Sequence, residues 1–442
     1  MKGGRNISIP LNSHAGLNQF VFKKNHIFVF RKIYPMAHII IKNFGPLSEA
    51  DVYLKRINII IGPQSQGKST LLKIASYCSW VEKRIELTQS EAYFQSDNNF
   101  AAGLVVFHKM QNYIRKGSFV SYESEYMCFS YDFDSQKFTF SWKDKRWEYR
   151  RPKISYIPSE RNIVAAIPNW FEVSMERNNI RNFMTDWENA RKATVNSLPI
   201  LNLDIAYHYD SSKKKDEVVV GDNNTSVDFT NTSSGLQSLI PLFVLLNYLY
   251  STQYESEKAK RISGDWEDTD LSNTIYEKLF KEKGRTEGTV QKYISVLDDS
   301  KVSVRLPFTK AVGGSLLKFD DEETYNEFND IYNRYLLTDH NIVFLEEPEN
   351  NIFPPTQAQV SDWLIEHTKE REYNFLAIAT HSPYVLNRFL EHNIEDFALF
   401  FTTNDKQYSK VCTATESDIQ AIYDDGVDAF FNIENLNQFD NN

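Results

Sequence analysis

Apolar and polar positions fall in blocks along this chain, and the period of the blocks changes several times. Ile57-Asn58-Ile59-Ile60-Ile61 is a short, nearly continuous apolar run, as are Asn341-Ile342-Val343-Phe344-Leu345 and residues 374–380. Runs of this kind predict strands buried on both faces of a parallel sheet. Residues 38–44 predict a further strand closed by the Gly45-Pro46 turn, and 153–158 another. Residues 127–133 and 137–142 alternate and are separated by Asp134-Ser135-Gln136, which is a β-hairpin pattern. Two short strands are expected around Ala206 and Val218-Val219-Val220. Helical spacing starts at Leu71, covers 80–117 with a break at Asp97-Asn98-Asn99, and returns at 170–192 and at 239–250. Residues 251–339 are the most charged part, with helices expected at 274–283 and 322–337. They read as a helical insertion projecting from an α/β core.

Charge divides the chain further. Residues 1–35 carry Lys2, Arg5, Lys23, Lys24, Arg31 and Lys32 and no acidic residue. We read them as a dispensable basic extension upstream of Met36, the alternative being an arm that binds nucleic acid. The expected organisation is then the extension 1–35, a first part 36–250, the insertion 251–339 and a second part 340–442. With 442 residues, 41% hydrophobic and 24% charged, the composition is that of an ordinary globular protein. The net charge of −10 argues against a surface that coats nucleic acid, although a local basic patch remains compatible with it. Cys78, Cys128 and Cys412 are scattered without metal spacing and fit buried thiols in a reducing cytosol. The apolar stretch 239–250 is broken by Asn247 and too short for a bilayer, and no secretory signal is visible. The expectation is a cytoplasmic protein with no membrane partner.

The chemistry lies where strands end. The run 57–61 leads into Gly62-Pro63-Gln64-Ser65-Gln66-Gly67-Lys68-Ser69, with Thr70 following, which fits the phosphate-loop pattern G-x-x-x-x-G-K-[ST] at every fixed position. Its glycines let backbone N–H groups turn toward phosphate oxygens at a helix N-terminus. Lys68 is placed to reach the β- and γ-phosphates, and the Ser69 hydroxyl to ligate Mg²⁺, so ATP with Mg²⁺ is the expected ligand. The strand 341–345 runs into Glu346-Glu347-Pro348-Glu349. Two adjacent carboxylates permit a division of labour, Glu346 near the metal and Glu347 accepting a proton from the attacking water. His381 follows the strand 374–380 and would face the ligand crevice as a contact to the γ-phosphate or that water. Ser233-Ser234-Gly235, with Gln237 beyond, opens the apolar helix and offers either a plain N-cap or a second anion site.

Taken in order, these motifs resemble the ABC-type ATPases, and within them the SMC/RecF-like and OLD-like bacterial branch. The likeness is carried by Gly62 to Thr70, Ser233-Ser234-Gly235-Leu236-Gln237, Leu345-Glu346-Glu347-Pro348-Glu349 and Thr380-His381-Ser382-Pro383, and it spans about 36–402 without the insertion. The resemblance implies a P-loop head with a mixed, partly parallel sheet and an antiparallel portion. It also implies two heads that sandwich ATP, with Ser234 and Gly235 of one copy meeting the γ-phosphate of the other and Asn350-Asn351 near the head–head contact. Leu236 stands where transporters have a second glycine, and Glu346 where an Asp is usual. Ser159-Glu160-Arg161 occupies the loop of the family's metal-contacting glutamine, which leaves Arg161 as the candidate nucleotide contact. These departures imply slow hydrolysis and an ATP-gated switch.

After Thr402 only about forty residues follow, too few for the Toprim domain of OLD nucleases, and their acidic residues Glu416, Asp418, Asp424, Asp425 and Asp428 read as a solvated tail. The chain therefore resembles stand-alone ATPase subunits of anti-phage systems such as PARIS or Septu, which work with a separate effector such as a nuclease. The alternative is an ATPase of repair or chromosome maintenance that binds DNA directly. A transporter subunit is disfavoured by the insertion and by the Ser-Ser-Gly-Leu-Gln signature.

Overall fold

A computed structural model describes residues 36–194, 196–221, 225–254, 266–281, 291–292, 308–312, 315–319, 321–392 and 396–430. Both readings of segment 1–35 concern residues outside this set.

The described chain opens with β1 (Ala37–Phe44), β2 (Leu47–Leu54), β3 (Ile57–Ile61) and the long helix α1 (Lys68–Thr88). After α2 (Ala92–Gln95) and α3 (Asn99–Phe107) comes an antiparallel wing of β4 (Ile114–Ser124), β5 (Met127–Asp132) and β6 (Lys137–Trp142). Then follow β7 (Pro152–Ile157), α4 (Ile163–Ala166) and α5 (Asn179–Ala193). A separate antiparallel sheet of β8 (Leu198–Pro199), β9 (Ile205–Asp210), β10 (Lys215–Val220) and β11 (Thr225–Asp228) precedes α6 (Ser234–Asn247). The insertion holds α7 (Trp266–Ile275), a small sheet of β12 (Gln291–Lys292), β13 (Thr309–Val312) and β14 (Ser315–Lys318), and α8 (Glu322–Leu336). Next come β15 (His340–Glu346), α9 (Pro354–Lys369), β16 (Phe375–Ala379) and α10 (Pro383–Glu391). The last elements are β17 (Phe397–Asp405), β18 (Tyr408–Thr413) and α11 (Glu416–Asp425).

Among the described residues, eleven strands form one mixed sheet in the order β6-β5-β4-β1-β2-β18-β17-β3-β16-β15-β7. The stretch β17-β3-β16-β15-β7 is parallel throughout. Its strands are covered on both faces, which is why they read as unbroken apolar runs. In β3, Ile57, Ile59 and Ile61 face one core and Ile60 the other. The first core is closed by α5, α6, α9 and α10, the second by α1 and the antiparallel wing. Asn58 is the polar member of β3, and its amide is fully used, bonding Lys55 O at 2.6 Å and Leu376 O at 3.2 Å. No helix among the described residues is long and apolar enough to cross a membrane.

Four expectations need correction. Helix does not run through 80–117: α1 ends where Gln89 turns left-handed, and β4 has begun by Ile114. The charged start of β4 hides its alternation, in which Ser118, Val120, Tyr122 and Ser124 point inward. Helix at 170–192 begins only at Asn179, where the Asn178 side chain accepts the Arg181 N–H and sets the N-terminus. The insertion is not purely helical, since β13 and β14 pair as a hairpin inside it. The acidic tail is a solvated terminus only in part as far as residue 430: Glu416, Asp424, Asp425 and Asp428 are exposed as expected, but Asp418 and the apolar face of its helix are not. Thr415 and Asp418 form a capping box, Asp418 is buried, and Ile419 and Ile422 of α11 enter the first core.

Candidate nucleotide site

β3 ends at Ile61 and the chain turns through Gly62 to Gly67 into α1. Gly62 has φ +143° and Gly67 φ +93°, conformations that L side chains rarely adopt. Space forbids a side chain as well: a Cβ on Gly62 would lie 2.0 Å from Thr402 Oγ1, and one on Gly67 2.4 Å from Leu47 Cδ2. The loop is held from outside by β17, whose Thr402 hydroxyl donates to Gln66 Oε1 at 2.9 Å while Gln66 Nε2 donates to Asn404 Oδ1 at 2.7 Å. Gln64 and Ser65 are exposed at its crown. Lys68 folds back over the loop, its Nζ donating to the carbonyls of Gly62 and Pro63, each at 2.7 Å. Burial lowers its pKa to about 8, against the opposing pull of Glu347 and Glu349. Ser69 is half-buried and Thr70 buried beside it.

The acidic strand β15 delivers its carboxylates to the same end of the sheet. Glu346 is buried, accepting from the Tyr156 hydroxyl at 2.6 Å and from the Ser159 N–H at 3.3 Å. Glu347 sits at φ +44°, a left-handed conformation that costs a non-glycine residue roughly 1–2 kcal/mol. It is fixed there by its own N–H donating to Ala379 O at 2.8 Å. Desolvation raises the Glu347 pKa, helped by repulsion from Glu349 and Glu346. Glu349 is also raised by burial, and it grips the next strand exit, accepting from Thr380 Oγ1 at 2.9 Å and from the His381 N–H at 2.6 Å. The His381 ring is half-buried, and desolvation with the nearby Lys68 charge lowers its pKa to about 4. At neutral pH it is therefore an uncharged imidazole.

Arg161 does not contact the crevice as a nucleotide ligand. It is fully buried, and its guanidinium donates to the carbonyls of Ser238, Glu346, Glu347 and Pro348 at 2.8–3.2 Å. Burial lowers its pKa to about 10, opposed by Glu349, Glu347 and Glu346. Its work is to pin the acidic turn to the start of α6. Sequence could not reveal this, because all four acceptors are backbone atoms. Tyr156 and Glu349 were within reach of sequence reasoning, the first on the strand at 153–158 and the second inside the acidic run itself.

The serine-glycine turn lies beside the acidic turn rather than on the phosphate loop of the same chain. Ser233 caps α6, its Oγ accepting from Leu236 N at 3.4 Å, and Gln237 Nε2 donates to Thr230 O and Thr232 O. Gly235 faces the Asn351 carbonyl, which a Cβ would approach to 3.0 Å, and Asn351 Nδ2 donates to Ser238 Oγ at 3.2 Å. Asn350 Nδ2 donates to Ser159 O at 3.0 Å. Ser233 and Ser234 are exposed, and among the described residues neither bonds to residues 62–70.

The residues present fit a nucleotide with Mg²⁺. The glycine cradle would be filled by any Cβ, and Lys68 lies among carbonyls it can exchange for phosphate oxygens. A hydroxyl and a carboxylate, Ser69 and Glu346, are hard oxygen donors of the kind Mg²⁺ takes alongside phosphate and water. Among the described residues no group of three or more acidic, His or Cys side chains makes a self-sufficient metal cage, the usual situation where phosphates supply ligands.

No family model and no curated protein matches this chain. Among solved structures it is similar to the SMC head domain from Thermotoga maritima, with 10% identity, 86% of this chain and 98% of that one covered, and a TM-score of 0.36. An SmcHead bound to the C-winged helix domain of ScpA gives 10% identity, 87% and 98% coverage and 0.38. An Smc head with an extended coiled coil, bound to the C-terminal domain of ScpA derived from Pyrococcus furiosus, gives 11%, 88%, 98% and 0.30. What the site can do follows from its own geometry.

Proposed function

We propose that this chain is an ATPase that closes on a second copy of itself around ATP and Mg²⁺ and so switches a separate effector protein. The observation that carries the reading is the meeting, at the C-terminal ends of parallel strands, of a glycine cradle with Lys68, the carboxylates after β15 and a neutral His381 after β16. Ligands of open α/β sheets bind at such ends. Lys68 holds the β- and γ-phosphates, and Mg²⁺, when bound with Ser69 and Glu346, neutralises phosphate charge. Glu347, made more basic by its half-buried site, orients the attacking water and takes its proton. Glu349 positions His381 against the γ-phosphate end.

Self-association is supported by what the crevice rim leaves in water. Ser233 and Ser234 at the start of α6 are exposed, and Phe353, just beyond Asn351, is 72% exposed. A second copy's γ-phosphate is a fitting partner for that helix start. The effector's kind, a nuclease in anti-phage defence, rests on the motif resemblance alone. The test is a mixing experiment on ATP turnover. Lys68→Ala and Ser234→Arg proteins are each inactive, but together recover part of the activity, because one composite site in the mixed pair carries neither change. No recovery would mean that each site is complete within one chain.

A further inference from the structure

Behind the nucleotide crevice, α1, α3, β7 and α7 enclose a cavity of about 730 Å³, within the roughly 300–1,000 Å³ of small-molecule sites. Among the described residues its wall carries four basic side chains and no acidic one, in a protein of net charge −10. Lys153 is paired with Asp186 at 2.7 Å, and Lys83 donates to Pro152 O at 2.6 Å. Arg84 is different: it lies 3.9 Å over the Tyr93 ring, and its Nε has no hydrogen-bond partner. The Nε of Arg151 likewise has none, while its Nη1 donates to Leu336 O at 3.1 Å. The apolar part of the wall is flat and aromatic, with Trp80 at the mouth and Phe107 deeper.

His108 is the decisive wall residue. Its ring is 1% exposed, and neither nitrogen has a hydrogen-bond partner. Burial drives its pKa to about 3, so the imidazole is neutral, with one N–H to give and one lone pair to fill. Leaving both unsatisfied is costly, and the ring's surroundings are aromatic: Phe107 and Tyr156 stand edge-on at 4.9 and 5.2 Å. Tyr156 belongs to the same wall, and its hydroxyl donates to Glu346 Oε1.

We propose that the cavity binds a small organic anion carrying a flat ring, and that its occupancy is transmitted to Glu346 through Tyr156. Arg84 and Arg151 receive the anionic group, Trp80 and Phe107 stack the ring, and His108 bonds a polar atom of it. A ligand that shifts the Tyr156 ring alters a donor to Glu346. This second clause rests on the ATPase reading, whereas the first does not.

The probes are AMP and phenyl phosphate, titrated calorimetrically into full-length Lys68→Ala protein so that the phosphate loop is silenced. We expect one site per chain for at least one probe, weakened about tenfold by Arg84→Gln and by His108→Phe. Arg84 is only half-buried, so its variant keeps the test sound if His108→Phe lowers the melting temperature. Absence of binding by both probes, or binding that neither substitution changes, overturns the site and leaves His108 with an ordered water. In the unsubstituted chain, saturating phenyl phosphate should change ATP turnover severalfold. Arg84→Gln and Tyr156→Phe should each abolish that change. Binding without any change in turnover overturns the link to Glu346. A chain with no ATPase activity at all would instead refute the proposed function and leave the binding result readable.

Discussion

Two groups of buried carboxylates in this molecule have raised pKa values for the same first cause, desolvation, yet they are built for opposite ends. Glu82 and Glu86 sit one turn apart on α1. Glu82 accepts from the Tyr122 hydroxyl at 2.6 Å and Ser124 Oγ at 2.5 Å; Glu86 accepts from Tyr335 at 3.0 Å and Gln89 at 3.3 Å. Their hydrogen-bond partners are neutral side chains, three hydroxyls from the wing and the insertion and the Gln89 amide at the end of α1, and both carboxyls are sealed from solvent. Glu347 and Glu349 lie after β15, beside Lys68, with the Glu349 carboxylate accepting the His381 N–H, and Glu347 is only partly buried. A perturbed carboxylate is thus no sign of chemistry by itself. What separates the groups is access and, at Glu347, a left-handed backbone held beside Lys68.

The largest effect that could sharpen or break this contrast is on turnover. Glu347→Gln should slow ATP hydrolysis by roughly 10²–10⁴-fold while leaving ATP binding and the melting temperature in place. Glu82→Gln should leave the rate nearly unchanged, and an equal loss in both would erase the distinction. Next in size, Arg161→Met removes a buried cation from four carbonyls and frees Glu347 to leave its left-handed conformation. Urea unfolding should show a loss of about 3 kcal/mol, together with a fall in turnover. Tyr122→Phe, which takes one donor from Glu82, should cost only about 1 kcal/mol and spare the rate.

The smallest effect is in pH. Folding holds Glu82 and Glu86 above the ordinary 4.5, so the folded state keeps protons that the unfolded chain releases. Their contribution is complete below about pH 4.5 and declines as pH rises toward the folded values. Glu86→Gln should flatten that decline, measured as unfolding midpoints between pH 5 and 8; an unaltered slope would mean that Glu86 ionises freely in the folded protein.

How much could be read beforehand depended on where each partner lies. β3, β15 and β16 were legible because strands buried on both faces have no polar alternation to confuse them, and the phosphate loop because its glycines are required by backbone angle and space. The strand Phe397–Asp405 has an apolar run from Phe397 to Phe401 but no motif at its exit, so nothing in the sequence marks Thr402 and Asn404, which brace Gln66. The hydroxyls of Tyr122 and Tyr335 reach α1 from elements 40 and 249 positions away, so nothing local marked Glu82 and Glu86 as tied. Arg161 resembles a free ligand in the sequence because a loop cation after a strand end shows no partner there, whereas its partners are backbone carbonyls.

The strand order also decides when in its synthesis the proposed nucleotide site can be completed. β1, β2, β4, β5 and β6 pair with one another within residues 37–142 and can zip together as they leave the ribosome, leaving only the outer edge of β2 to wait for β18. β3 cannot. Its flanking strands are β16 and β17, and the bond from Asn58 to Leu376 spans 318 positions. Closing so wide a loop is entropically expensive and slow. The phosphate loop is therefore made early and walled late, and until residues near 400 emerge the nascent chain carries an unsheathed isoleucine strand. That interval is when a chaperone would be needed and when the proposed ligand could not yet help the chain to fold.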